Sequence, residues 1–190
     1  MLRRLLLLLI VPAGLAIFIA CSDDEHGGEP TPLEGTALGI RSSVFEDNET
    51  IPAKFTCDGE NISPALEIDP VPDGTVSLAL IVTDIDGPGG DFVHWIVYNM
   101  APGGDIPEGD AQLLAGTQGM TGRGSPGYFG PCPPEGEHRY VFDVYALNAT
   151  LTLPAGEATK ATLLAAMDAN ILQQSTLTGL YSRPPATSVP

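Results

Sequence analysis

The sequence predicts a mainly β protein, and three observations point to it. Glycine and proline are abundant, with 22 and 18 residues among 190, whereas aromatic residues make up only 6%. Runs of β-branched residues are short and are separated by turn-forming residues. One run, FVHWIVYNM, is apolar on both faces, as in the central strand of a sandwich. We therefore expect one domain of short strands with a single sizeable core, rather than a helical bundle.

The predicted strands share alternating apolar residues and end at turn residues. They are Leu38–Phe45, Val76–Asp84, Phe92–Met100, Ala111–Thr117, His138–Leu147 and Ser175–Arg183, with extended flanks in Lys54–Ile68. The stretch Thr159–Leu172 is the one segment typical of a helix. Residues 118–138 form a long loop rich in glycine and proline, and loops of this length in a compact domain are usually functional or disordered.

The beginning of the chain is separate from this domain. MLRR precedes the apolar stretch Leu5–Ala20, which is shorter than the ~20 residues that comfortably span a bilayer. A small residue followed by Cys21 is typical of a bacterial lipoprotein signal, although Phe18 stands where leucine is usual. Cys21 would then be the first mature residue and would carry the lipid. An uncleaved anchor and ordinary secretion are the alternatives, and each places the domain outside the cytoplasm.

The rest of the chain divides into three parts and is strongly acidic. Residues 21–37 predict a flexible acidic tether, residues 38–183 the domain and residues 184–190 a tail. Without residues 1–20, which hold two Arg and no acid, 6 basic residues face 24 acidic ones, a formal charge of 6 − 24 = −18. This charge repels nucleic acid. Nucleic acid is therefore not an expected partner, and a site for an anion must be built locally from backbone N–H groups and histidine.

Two cysteines remain besides Cys21. In an exported domain, Cys57 and Cys132 predict one disulfide, closing a loop of about 75 residues worth ~4 kcal/mol. Two separate buried thiols are the alternative.

Three titratable residues are expected at one rim of the sheet. Asp84 ends one strand, and His94 begins the next strand at the same rim. His138 opens a later strand there, after the long loop. Strict alternation places His94 on the same face of its strand as Ile96 and Tyr98.

Four motifs in order carry a family resemblance. CDGENISPAL, DIDGP, HW and GPCPPEGEHRYVFDVYAL resemble the phosphatidylethanolamine-binding protein family, in particular its bacterial branch of Raf-kinase-inhibitor-like proteins. The resemblance covers about Leu38 to Arg183. It implies a Greek-key β-sandwich with a C-terminal helix beside a small pocket. In the family this pocket takes phosphate, phospholipid head groups, acetate or cacodylate.

The resemblance also implies which residues bind the anion. The family's two motif aspartates fall on Asp84 and Asp86, its motif proline on Pro88, and its pocket histidine on His94. Its Gly-x-Pro-Pro loop falls on Gly130–Pro134, which contains Cys132 and Pro133, and its His-Arg-Tyr on His138, Arg139 and Tyr140. Two departures are Ile85, where the family has proline, and Cys132, where some members have glycine.

Each candidate residue has a structural alternative. His94 and His138 would donate hydrogen bonds to an oxyanion, with Asp84 orienting one of them, or they are satisfied histidines at a sheet edge. Tyr140 would donate its hydroxyl to the anion or serve as a core aromatic residue.

The neighbouring residues carry further expectations. The loop Gly130–Pro134 is expected to offer backbone N–H groups to an anion, or it is only a rigid turn. Asp86 is expected to form an Asx turn. Arg139 is expected to point away from the site, toward an acidic partner.

The sequence therefore predicts a non-catalytic module, tethered by lipid at Cys21, that binds phosphate, a phosphorylated head group or a carboxylate without a cofactor or metal. It would regulate an unknown partner protein through this surface. One alternative is a metal-dependent hydrolase using Asp84, His94 and His138. Another is a protease- or kinase-inhibitor-like interaction protein using the loop 119–137.

Overall fold

The structure is a computed structural model that describes residues 37–109 and 116–184. It is mostly β with one short helix, as predicted. The strands are β1 (Arg41–Ser42), β2 (Glu49–Thr50), β3 (Leu66–Glu67), β4 (Ser77–Asp84), β5 (Phe92–Met100), β6 (Thr117–Gln118), β7 (Glu137–Leu147) and β8 (Ile171–Ser182), and the helix is α1 (Lys160–Met167). The predicted leader, Cys21 and most of the tether lie outside the described residues, as does the tail from residue 185 onward.

Six strands form one sheet in the order β2-β8-β7-β4-β5-β6, and β1 pairs with β3 in a second, two-stranded sheet. Strands β4 to β6 follow one another in space, and β7 returns to lie beside β4 in antiparallel pairing. This order of strands, with the fourth beside the first, is a Greek key. The Greek-key expectation is therefore confirmed.

The large sheet is covered on both faces, which explains why its central strands are apolar throughout. On one face, Leu80, Trp95 and Phe142 pack with Leu66 of the small sheet. On the other face, Ile81 and Ile96 pack with Leu163 and Met167 of α1. All eight residues of β4 are buried as a consequence.

The helix is shorter than predicted and the last strand is longer. The side chain of Thr159 accepts a hydrogen bond from the Thr162 backbone and caps α1, which ends at Met167 rather than Leu172. Ile171 already pairs with Leu147 of β7. Pairing with the adjacent long strand therefore overrides the helix propensity of the residues after Met167.

Two further boundaries differ from prediction. Only Arg41–Ser42 of the predicted strand Leu38–Phe45 pairs, because its partner β3 has two residues. Strand β6 runs antiparallel to β5, as expected, but contains Thr117 and Gln118. The predicted strand residues 111–115 lie outside the described part of the chain. In the ranges 37–109 and 116–184, no helix is long and apolar enough to cross a membrane.

Candidate functional site

Asp84 occupies the last position of β4, at the rim, and accepts two hydrogen bonds there. It is only 5% exposed, and its Oδ2 accepts a hydrogen bond of 2.8 Å from Nδ1 of His138. Its Oδ1 accepts a second bond of 2.9 Å from the backbone N–H of Asp86. The expectation that Asp84 accepts a hydrogen bond from one of the two histidines is therefore confirmed. His138 donates through Nδ1, so its Nε2 is the ring nitrogen left for other partners.

His94 reaches the rim through a β-bulge. Val82 pairs with Trp95, but the next residue, Thr83, pairs with Val93, so His94 is the extra residue of β5. Val93 consequently packs on the face of α1. The predicted alternation of His94 with Ile96 is wrong for this reason, because a bulge turns its side chain to the other face of the sheet.

The bulge places the ring of His94 among three aromatic side chains. Its ring meets Phe92 and Tyr140 edge-on, with centroids 5.0 and 5.1 Å away, and stacks on Phe129 at 5.4 Å. Nδ1 of His94 lies 2.6 Å from the carbonyl oxygen of Phe129. Because a carbonyl oxygen only accepts, Nδ1 must carry the hydrogen. Burial lowers the pKa of His94, and the Phe129 carbonyl and the charge of Asp84 partly oppose this shift.

Two cavities open at this rim and meet at Pro88 and Pro134. The first, here called the inner cavity, has a volume of about 270 Å³. Its walls are Asp84, the turn Gly87–Asp91, Phe92, His94, Phe129, Cys132 and Pro134. The second, the outer cavity, has about 560 Å³ and adds Asp86, Glu135, Glu137, His138, Arg139 and Leu180. The two predicted histidines therefore face different cavities, with Asp84 connecting them.

The loop Gly130–Pro134 departs from its predicted role. Pro131, Pro133 and Pro134 have no N–H, and the N–H of Gly130 donates to Oδ1 of Asn61 at 2.8 Å. Only the N–H of Cys132 remains in this segment, so the segment does not form the expected nest of several N–H groups. Pro133 is buried, whereas Pro134 lines both cavities.

A disulfide joins Cys132 to Cys57, as predicted, with Cα atoms 5.4 Å apart. The N–H of Cys57 also donates to the carbonyl of Pro131, and the hydroxyl of Tyr128 donates to the carbonyl of Phe55. These contacts fix the loop against residues 53–61. They hold the wall of the inner cavity that Cys132 and Phe129 provide.

Tyr140 is fully buried beneath the site. Burial, together with the charge of Asp84, raises the pKa of its hydroxyl, and the Cys132 backbone near the hydroxyl partly opposes this shift. The ring does not line either cavity. Its ligand role stays a prediction, while the structure shows it as a core aromatic residue against His94.

Asp86 and Arg139 form an ion pair at the edge of the outer cavity. Asp86 accepts hydrogen bonds from both the backbone and the guanidinium of Arg139 at 2.7–2.9 Å. These bonds lower the pKa of Asp86 to about 2. The acidic partner expected for Arg139 is confirmed. The Asx turn, in contrast, belongs to Asp84, because its carboxylate accepts from the N–H of Asp86.

Sequence reasoning missed three residues at the site. Phe92 and Phe129 wall the inner cavity, and Arg123 places its guanidinium 3.4 Å from the centroid of the Phe129 ring. Phe92 lies two residues before His94, and Phe129 lies inside the loop already considered functional. Aromatic residues this close to a predicted site histidine were the available signal.

Comparison with known proteins is consistent with this architecture. The family model for phosphatidylethanolamine-binding protein matches residues 41–182, which is more than half of the chain. The chain belongs to this family. The structural neighbours fit a β-rich fold of the same kind.

Relatives with known names extend this result. A UPF0098 protein of Methanothermobacter thermautotrophicus is 41% identical over 77% of this chain and 99% of its own length. A UPF0098 protein of Archaeoglobus fulgidus is 40% identical over 88% of this chain, which spans only 56% of that relative.

Two crystal structures are similar to this one. The first, from Chlamydia trachomatis, is described as a phosphatidylethanolamine-binding protein homolog. It has a TM-score of 0.75 and 39% identity, and the match covers 78% of this chain and 99% of that one. The second, YbcL of Escherichia coli, is described as a member of the mammalian family, with a TM-score of 0.72, 28% identity and coverage of 77% and 99%.

Proposed function

We propose that this chain is a non-catalytic binding protein for a small oxyanion, such as phosphate, a phosphorylated head group or a carboxylate. The observation that carries the proposal is the inner cavity, where His94 and Asp84 meet inside aromatic walls. A volume of about 270 Å³ lies below the range of cavities for drug-sized ligands, so it suits a small group. A protonated histidine would give such an anion a charge-assisted hydrogen bond.

The chemistry of the walls favours binding over catalysis. The residues that line the two cavities include no serine, threonine or lysine, and the sulfur of Cys132 is in a disulfide. Nucleophilic catalysis by a hydroxyl, thiol or amine needs that group beside a base, and these residues supply no such group. The metal-hydrolase alternative has no support either, because residues 37–109 and 116–184 contain no group of three His, Cys, Asp or Glu side chains placed to hold a metal ion.

Magnetic resonance of the histidine rings tests the binding proposal. Phosphate or phosphoethanolamine is titrated into the protein while the ring signals of His94 and His138 are followed. We expect saturable shifts at millimolar ligand. The side-chain amide of Asn99, which bridges to Leu151 far from the rim, should not move. If neither ring signal shifts, the binding proposal is rejected, and the alternative of an interaction protein that uses residues 119–137 is favoured.

The proposed location rests on the sequence around Cys21. We propose that lipid on Cys21 tethers the domain to a membrane outside the cytoplasm, where it would regulate a partner protein. Cys21→Ser should abolish the incorporation of labelled fatty acid into the protein. Equal labelling of the variant would show that the lipid is not on this cysteine.

A further inference from the structure

The side chains of the inner cavity accept hydrogen bonds and carry negative charge. His94 uses its Nδ1 hydrogen on the carbonyl of Phe129, so in its neutral form Nε2 has only a lone pair to offer. Asp84 and Asp91 are the other titratable side chains in the wall, and no lysine or arginine is among the described residues that line it. Asp91 is paired with Lys160 of α1, whose Nζ lies 2.7 Å from its Oδ2. A fully ionised anion beside His94 would thus meet the Nε2 lone pair and the Asp84 carboxylate.

The charged and hydrogen-bonding groups around His94 determine whether its ring takes up a second proton. Strand β4 contributes Asp84, whose negative charge favours the imidazolium form. Strand β7 contributes Tyr140 against the ring, and His138 behind Asp84. The loop contributes Arg123, whose positive charge opposes protonation, and the carbonyl of Phe129, which favours it. The turn before β5 contributes Asp91 to the cavity wall.

An oxyanion that contacts Nε2 of His94 or the Asp84 carboxylate therefore needs a hydrogen between itself and these acceptors. We propose that the inner cavity binds a small oxyanion together with one proton, an inference that rests on the proposed function. The proton comes from one of two sources. A ligand with its own acidic O–H, such as the monoanion of phosphate, donates it to Asp84 or to Nε2 of His94. A ligand without one requires His94 to take a proton from solvent at Nε2.

Binding measurements with sulfate and with phosphate distinguish the two sources of the proton. Sulfate has no acidic hydrogen near neutral pH, so the protein must take up the proton. Its binding constant should fall about tenfold per pH unit above the pKa of His94, which burial lowers, and so about tenfold between about pH 7 and about pH 8. Phosphate should lose less affinity over the same interval, because its monoanion brings the proton with it.

The experiment is calorimetric titration of the full domain with sulfate and with phosphate. Each titration is run in two buffers of different protonation enthalpy, and the difference between them gives the number of protons taken up. For sulfate near neutral pH we expect about one proton. The ring nitrogen signals of His94 should then change from the neutral to the imidazolium pattern.

The variant His94→Gln identifies the site of protonation. Glutamine places an uncharged amide donor near the position of Nε2, so sulfate binding should persist weakly without proton uptake or pH dependence. If this variant does not fold, the proton count and the His94 signals of the unaltered protein decide the question.

The outcomes distinguish the two proposals. Sulfate binding with no proton uptake and equal affinity at both pH values would overturn the proton-coupled inference and leave anion binding standing. No binding of either anion at any pH would remove the proposed function itself.

Discussion

The inner and outer cavities share two prolines but are held in different ways. Buried contacts define the inner cavity: a backbone carbonyl fixes the ring of His94, aromatic rings surround it, and a disulfide holds the wall. Charges at the surface define the outer cavity, where Asp86 pairs with Arg139 and Glu135 and Glu137 are exposed. Both histidines have Nδ1 fixed by an acceptor, a backbone carbonyl for His94 and the Asp84 carboxylate for His138, so the comparison teaches that their surroundings differ: aromatic rings enclose His94, whereas exposed charges surround His138.

Removal of the disulfide beside the inner cavity is expected to have the largest effect. The double variant Cys57→Ser, Cys132→Ser should lose about 4 kcal/mol of unfolding free energy, because the disulfide closes a loop of 75 residues. Chemical denaturation measures this loss relative to the unaltered, oxidised protein. The unaltered protein under reductant, which also lacks the disulfide, should show the same loss. If the loss is below ~1 kcal/mol, the hydrogen bonds of Tyr128 and Gly130 hold the loop without the disulfide.

Asp84 connects the two cavities, so Asp84→Asn should disturb both. The change replaces the carboxylate that accepts from Nδ1 of the buried His138 with an uncharged amide, and should lower the unfolding free energy by about 2 kcal/mol. Denaturation at neutral pH gives the value, and the ring signals of His138 should broaden or shift at the same time. An unchanged His138 signal would show that this hydrogen bond does not position the ring.

Gly130→Ala tests the wall of the inner cavity alone. A Cβ atom there would lie 2.4 Å from the carbonyl oxygen of Phe55 and 2.7 Å from Oδ1 of Asn61, so backbone must move. We expect a loss of about 2 kcal/mol and weaker phosphate binding. Gly156→Ala is the control, since nothing lies within 4 Å of its Cβ position. Equal stability of the two variants would contradict the close approach.

The smallest effect concerns the outer cavity. The pKa of Asp86 is lowered to about 2, so its pair with Arg139 stabilises the folded protein above the unfolded-state pKa of about 4. That contribution disappears as the pH falls toward 2. Asp86→Asn should lower Tm by only about 2 °C at neutral pH, since the pair is partly exposed. The variant should also lose less stability than the unaltered protein as the pH falls toward 2. A series of thermal scans from neutral to acidic pH measures this difference. If Tm falls equally steeply with pH in the variant, the pair with Arg139 is not the source of the acid-dependent loss.

Sequence reasoning located the rim but not all of its geometry. Asp84, His94 and His138 were placed together because antiparallel strands return to the same edge, and apolar alternation locates β4 and β5 within one residue. The bulge at His94 could not be predicted, because it depends on how β4 and β5 pair rather than on either strand alone. The end of α1 depends similarly on the partner strand β7. The three prolines of Gly130–Pro134, in contrast, were visible in the sequence and already excluded a nest of several N–H groups.

The central claim is that the anion occupies the inner cavity. A crystal structure of the domain with phosphate, at a concentration about tenfold above the dissociation constant measured by titration, tests it most directly. We predict one phosphate whose oxygen lies within hydrogen-bond distance of Nε2 of His94, between Phe92 and Phe129. Phosphate bound only beside Arg139 in the outer cavity, with the inner cavity holding water, would contradict the account.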